Sequence, residues 1–127
     1  MKQEKFSLKK RLISFKYAIN GIKILFWEEP NAKIHLFVTV CVLIAGFAFR
    51  ISGGEWIAVI LCIGLVIALE SLNSAIENIA DFVSPGRHET IKKVKDLAAG
   101  AVLIGAVASV IVGMIVFLPK IIELFSF

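Results

Sequence analysis

The sequence predicts an all-α integral membrane protein, three transmembrane helices preceded by an amphipathic surface helix, in a single domain over residues 1–127. Three observations predict it. First, 58% of the residues are hydrophobic and the mean hydropathy is +0.87, so there is too little polar surface to cover a soluble domain of this size. Second, three apolar runs, Ile34–Phe49, Trp56–Leu69 and Leu97–Leu118, stand out. With their polar flanks they reach the roughly 20 residues that a spanning helix needs. Third, positive charge is segregated. Residues 1–33 and the loop 82–95 hold 8 + 4 = 12 of the 14 basic residues, leaving only Arg50 and Lys120 for the other side. By the positive-inside rule the N-terminus and loop 82–95 are cytoplasmic, and the C-terminus lies outside a cell membrane.

The elements follow in order. Over residues 6–28, Leu8, Leu12, Phe15, Ile19, Ile22 and Phe26 recur at helical spacing, while Lys9, Lys10, Lys16, Asn20 and Lys23 fall mainly elsewhere around the helix. That pattern suits a basic amphipathic helix in the cytoplasmic headgroup layer, either a plain anchor or a substrate-facing element. Trp27 marks the interface, and Glu28, Glu29 and Pro30 break the helix before the first span. The spans are expected at 32–51, 55–81 and 96–119, the middle one long enough to project beyond the hydrocarbon. In the third, Ala101, Gly105, Ser109 and Gly113 form a ridge of small residues that permits close helix approach. Cys41 and Cys62 sit inside apolar runs without metal-site spacing and read as small buried hydrophobes. The first apolar run begins behind a long charged segment, which does not fit a cleavable signal. So small a cross-section needs partner subunits to enclose a sizeable cleft, so oligomerisation is expected.

The chemistry lies in ALESLNSAIENIAD. Glu70, Asn73, Glu77 and Asp81 fall within roughly 80° of one another at about 100° per residue, so they form one polar stripe. Ionisable groups at membrane depth are costly and mark functional sites by default. Glu70 lies deepest, directly after Ile67, Ala68 and Leu69. Glu28 and Glu29 before the first span, and Lys95 and Asp96 before the third, sit at the same cytoplasmic level as the shallow end of the stripe. Carboxylates, an amide and a lysine at one depth are what Mg²⁺ and a polyphosphate require. Neither GxxxxGK[ST] nor GxGxxG occurs. Each residue also has a plainer role: Asp96 as a helix cap, Glu29 as a helix terminator, Lys95 as an orientation charge, Asn73 as an interhelical hydrogen bond and His88 as a solvated loop histidine.

The runs ESLNSAIENIAD at 70–81, KDLAAGAVL at 95–103 and EEPNAKIHL at 28–36 resemble the prokaryotic diacylglycerol kinase family. SFKYAINGI and EEPNAKIHL are closest in style to its Gram-positive undecaprenol kinase branch. The resemblance covers nearly the whole chain. It implies a homotrimeric helical bundle with active sites shared between neighbouring subunits, Mg²⁺ as cofactor and ATP as co-substrate. It implies Glu70 as the general base facing the lipid hydroxyl, Asn73 beside it, and Glu29 and Glu77 as the metal pair against the phosphates. It further assigns Lys10, Tyr17, Gly86, Arg87, His88, Lys95 and Asp96 to the nucleotide site. Lys10 stands where the better-studied branch has arginine, and Arg11 is a possible substitute. Asp81 receives no role.

The expected reaction is phosphorylation of a lipid alcohol at the membrane surface, undecaprenol first and diacylglycerol as the alternative, with no nucleic-acid partner. An ion-coupled transporter would use the stripe as a relay, yet beyond Glu70 the middle span offers no charged residue until Glu55. A structural scaffold would explain the small-residue ridge and leave the carboxylates without a purpose.

Overall fold

Helix ends in this chain are set by short local signals, and these position the site. The structure, a computed structural model, describes residues 6–126; Lys2 and Lys5 of the charge argument lie outside them. Among the described residues there are four helices and no strand: α1 (Leu8–Glu28), α2 (Pro30–Ala48), α3 (Gly53–Val83) and α4 (Glu89–Phe125). The last three are long and apolar enough to cross a membrane, which makes this a multi-pass membrane bundle.

Ser7 caps α1, its Oγ accepting from the Lys10 amide at 3.4 Å. The apolar stripe of α1 stays largely exposed, and Leu25 is the residue of this helix that is buried. A helix whose apolar face finds no protein to cover it is suited to lie in a headgroup layer. Glu29 then serves both as the end of α1 and as the cap of α2, in extended backbone at φ −100° and ψ 113°. Pro30 enforces that conformation on the residue before it and fits the first position of α2, where its missing N–H is not needed. The Glu-Glu-Pro break therefore holds Glu29 at a corner between two helices.

α2 stops at Ala48, short of the expected 51, because the chain closes a Schellman motif. The Ile51 amide bonds Gly46 O at 3.2 Å and the Arg50 amide bonds Phe47 O at 3.3 Å. Arg50 takes the left-handed conformation at φ 50°, and Ile51 is buried against Val59 and Val116. A capping box opens α3: the Glu55 amide donates to Ser52 Oγ at 3.2 Å and the Ser52 amide to Glu55 Oε1 at 2.9 Å. With 31 residues α3 extends about 46 Å at 1.5 Å per residue, well past a hydrocarbon layer of about 30 Å.

α4 outruns the span expected at 96–119 in both directions. It begins at Glu89, where His88 Nδ1 accepts from the Thr90 amide at 3.2 Å, so His88 is the cap and Asp96 lies inside the helix. The alternative of Asp96 as a cap is thereby corrected. Past Pro119 the helix continues to Phe125, since proline removes only one intrahelical donor near the end. Lys120 Nζ, next in sequence, donates to Glu55 Oε2 at 2.7 Å and ties this end to the start of α3.

α3 and α4 form the central antiparallel pair, α2 packs on α3, and α1 touches both α2 and α3. Two glycines allow the close approaches. A Cβ on Gly105 would lie 2.7 Å from Leu69 Cδ1, and one on Gly46 would lie 2.6 Å from Trp56 Cη2. The small-residue ridge is thus only partly used within the chain: Gly113 has nothing within 4 Å. It lines, with Ser109, an apolar cavity of about 530 Å³ between α2, α3 and α4. Cys62 is half-buried, but Cys41 is exposed, contrary to expectation, because α2 packs through one face only.

Candidate active site

Burial along the stripe falls from one end to the other. Glu70 is buried with 2% exposure and Asn73 with 8%, Glu77 is half-buried, and Asp81 is exposed. One helix face thus carries a carboxylate from the dry middle of the bundle to its wet end. Such a gradient suits a reaction between a group buried in lipid and a group dissolved in water.

Neighbouring helices complete the stripe. The Asn73 amide nitrogen lies 3.5 Å from Glu77 Oε1, the limit of hydrogen-bond reach, while Asn73 Oδ1 is buried without a partner. Ser74, at the edge of the same face, donates its hydroxyl to Glu29 Oε1 at 2.8 Å. Ser74 and Glu77 are three residues apart on α3 and so are neighbours on its surface, which brings Glu29 to the same stretch of α3 as Glu77. Lys95 Nζ donates to Asp81 Oδ1, joining the start of α4 to the end of α3. Asp81, without a role in sequence, is thus a partner of Lys95.

Not every expected residue converges. Asp96 accepts from Lys92 Nζ at 2.6 Å on an exposed face of α4, beside a surface cleft lined by Glu89, Lys93 and Gly100. Consecutive helical residues point about 100° apart, and here Lys95 pairs with Asp81 of α3 while Asp96 pairs with Lys92 of its own helix. Lys10 and Tyr17 are exposed on α1, and Gly86 and Arg87 are exposed in the loop before α4. The Arg11 guanidinium lies 5.7 Å from the Phe6 ring centroid.

Two contributors were not picked out in sequence. Ser74 lies beside the stripe, yet its partner Glu29 is 45 residues away. His35, from α2, brings Nε2 to 3.5 Å from Glu70 Oε2. A titratable residue at the head of an apolar run was the available signal for His35.

Glu29 and Glu77 offer oxygen donors alone, the chemistry a hard divalent cation prefers. Among the described residues no three His, Cys, Asp or Glu side chains gather to hold a metal by themselves. Mg²⁺ suits so sparse a set, because it is usually bound through one or two carboxylates together with water and substrate phosphates. The donor set fits that ion.

The model of the family described as prokaryotic diacylglycerol kinase matches residues 16–117. The chain belongs to this family. It is 42% identical over 111 residues to the undecaprenol kinase of Bacillus subtilis, covering 84% of this chain and 87% of that one. It is 40% identical over 114 residues to a diacylglycerol kinase of Synechocystis, covering 89% of this chain and 65% of the relative. A diacylglycerol kinase of Haemophilus influenzae is 33% identical over 102 residues, covering 80% of this chain and 84% of its own. Membership of the family makes the chain an enzyme, a phosphotransferase with an alcohol acceptor.

Proposed function

We propose that this enzyme transfers the γ-phosphoryl group of ATP to the hydroxyl of undecaprenol, with Mg²⁺, at the cytoplasmic face of the cell membrane. The observation that carries the reading is Glu70, a buried carboxylate whose Oε2 accepts no hydrogen bond, at the dry end of a stripe that leads to Glu77 and Glu29. A lipid alcohol reaches such a group laterally from the membrane, while a nucleotide reaches Glu77 from water. Glu70 takes the proton from the attacking oxygen, and Asn73 fixes the register between Glu70 and Glu77. Glu29 and Glu77 hold Mg²⁺, which when bound neutralises charge on the phosphates. Lys95, oriented by Asp81, offsets further phosphate charge; Lys10, Tyr17, Gly86, Arg87 and His88 surround the nucleotide. Positioning and charge neutralisation supply most of the rate in phosphoryl transfer, so a small helical protein suffices.

The working form is a homotrimer with sites shared between subunits. Asp96 fits that assembly, since it is exposed on α4, paired only with Lys92 among the described residues, and open to a neighbouring copy. The N-terminus and the loop 82–95 are cytoplasmic by their positive charge, and the C-terminus is outside.

The identity with the Bacillus subtilis undecaprenol kinase favours the isoprenoid alcohol over diacylglycerol. A side-by-side phosphorylation assay in mixed micelles, at matched mole fraction of the two lipids, tests the substrate. Faster turnover of undecaprenol is expected; equal or faster turnover of diacylglycerol overturns that assignment.

A further inference from the structure

Among the described residues Glu70 is the least exposed carboxylate, and the way it is held is unusual. An ionised carboxylate in a dry interior is tolerated only when a donor or cation stands against it. Among the described residues a single side chain does so: His35, with Nε2 3.5 Å from Oε2. The elements around it leave no alternative. Between Asp96 and Lys120 α4 has no charged or titratable residue, and it opposes Glu70 near Gly105. On α3 the neighbouring polar groups are Asn73, whose nitrogen is directed at Glu77, Glu77 itself, and Ser74, whose hydroxyl is donated to Glu29. On α2 the other titratable residues, Lys33 and Cys41, are exposed. α1 is anchored through Leu25, and its nearest charged groups in sequence are Lys23 and Glu28, both exposed.

His35 is itself fixed. It is about three-quarters buried, with 24% side-chain exposure. It lies inside α2, the helix whose Gly46, eleven residues further on, packs against Trp56 of α3. Its own carbonyl accepts the Thr39 hydroxyl at 2.7 Å. His35 also lines the apolar cavity. So the imidazole stands where hydrocarbon surroundings begin, with one nitrogen toward the carboxylate.

We propose that His35 is a positioning residue for Glu70. Its Nε2–H donates toward Oε2, which fixes the carboxylate plane and leaves Oε1 for the lipid hydroxyl. A contact of 3.5 Å is longer than a good N–H to oxygen hydrogen bond, so it tightens when the site is loaded. A histidine meets this need because it can donate one hydrogen bond in its neutral form, adding no permanent charge to a dry wall.

The inference rests on Glu70 being the base, so Glu70→Gln is assayed beside the His35 variants. The assay is ATP-dependent phosphorylation of undecaprenol and of diacylglycerol in mixed micelles, with the full-length protein and an unfolding midpoint recorded for each variant. His35→Leu, which keeps the bulk and removes the donor, is expected to lower kcat by about 10- to 100-fold, the cost of a misplaced reacting group. The KM for ATP stays near the parent value. His35→Gln, whose amide can donate from a similar position, is expected to recover most of the lost kcat. A purely structural role would move the unfolding midpoint and show no such difference between Gln and Leu. Parent-like kcat in His35→Leu beside an inactive Glu70→Gln overturns the role of His35 alone. A folded His35→Gln as slow as His35→Leu also overturns it. Parent-like turnover in Glu70→Gln overturns the assignment of the base, and this inference with it.

Discussion

Replacing Gly46 by alanine tests the packing that places α2, and with it Glu29 and His35, against α3. A Cβ at that position would lie 2.6, 2.9 and 3.1 Å from three carbons of the Trp56 ring. Carbon atoms rest at about 3.5–4.0 Å, so the rigid ring or the helix must retreat by roughly 1 Å. Overpacking of this kind costs about 1–3 kcal/mol. Alanine returns up to about 1 kcal/mol of helix propensity. The net loss expected is therefore about 1–2 kcal/mol, or roughly 5- to 30-fold in the folding equilibrium. Gly105→Ala provides the contrast: its new Cβ would meet Leu69 Cδ1 at 2.7 Å, the tip of a flexible side chain that can rotate away. SDS titration in mixed micelles, followed by near-UV circular dichroism of the tryptophans, measures both. Gly46→Ala should unfold at clearly lower SDS, with reduced phosphorylation before unfolding begins. The reasoning is refuted if Gly46→Ala is as stable as the parent, or if Gly105→Ala is the worse of the two.

Ser74→Ala removes the hydroxyl donated to Glu29 and should weaken the apparent Mg²⁺ affinity about 3- to 10-fold, the scale of one ordinary hydrogen bond, while saturating Mg²⁺ restores most of the rate. Titration of phosphorylation against Mg²⁺ checks it. Asp81→Asn frees Lys95 and should raise the KM for ATP about two- to fivefold, the modest scale of a solvent-screened pair. The same change in a Lys95→Ala background should add nothing, because the two act as one unit, and steady-state kinetics of the double-mutant cycle reads the difference. Arg50→Gly should stabilise the chain by about 0.5–1 kcal/mol in the SDS titration, since glycine relieves the left-handed conformation at φ 50° at some cost in unfolded-state entropy.

Local signals were legible in the sequence, and contacts between helices were not. The stripe of Glu70, Asn73, Glu77 and Asp81 follows from helical spacing, and the break at Glu28-Glu29-Pro30 from the conformational limits of proline. The burial of Glu70 follows from its apolar approach. The start of α4 was less legible: in Glu89–Lys95 only Ile91 and Val94 are apolar among charged residues, and the His88 cap marks where the helix begins. Partners across helices depend on which faces meet. The pairing of Glu29 with Ser74, of His35 with Glu70 and of Asp81 with Lys95 each needs a packing angle that no local pattern encodes. The divergence of Lys95 and Asp96, by contrast, was readable from their adjacency on one helix.

The measurement closest to the central claim is the rate of lipid phosphorylation by Glu70→Gln, with ATP binding followed in parallel. Glutamine keeps the shape of the side chain and removes its ability to accept a proton. The account predicts a fall of about 10²- to 10⁴-fold in kcat, the usual contribution of a general base, with ATP affinity near the parent value. A variant that retains kcat within about tenfold of the parent would contradict it.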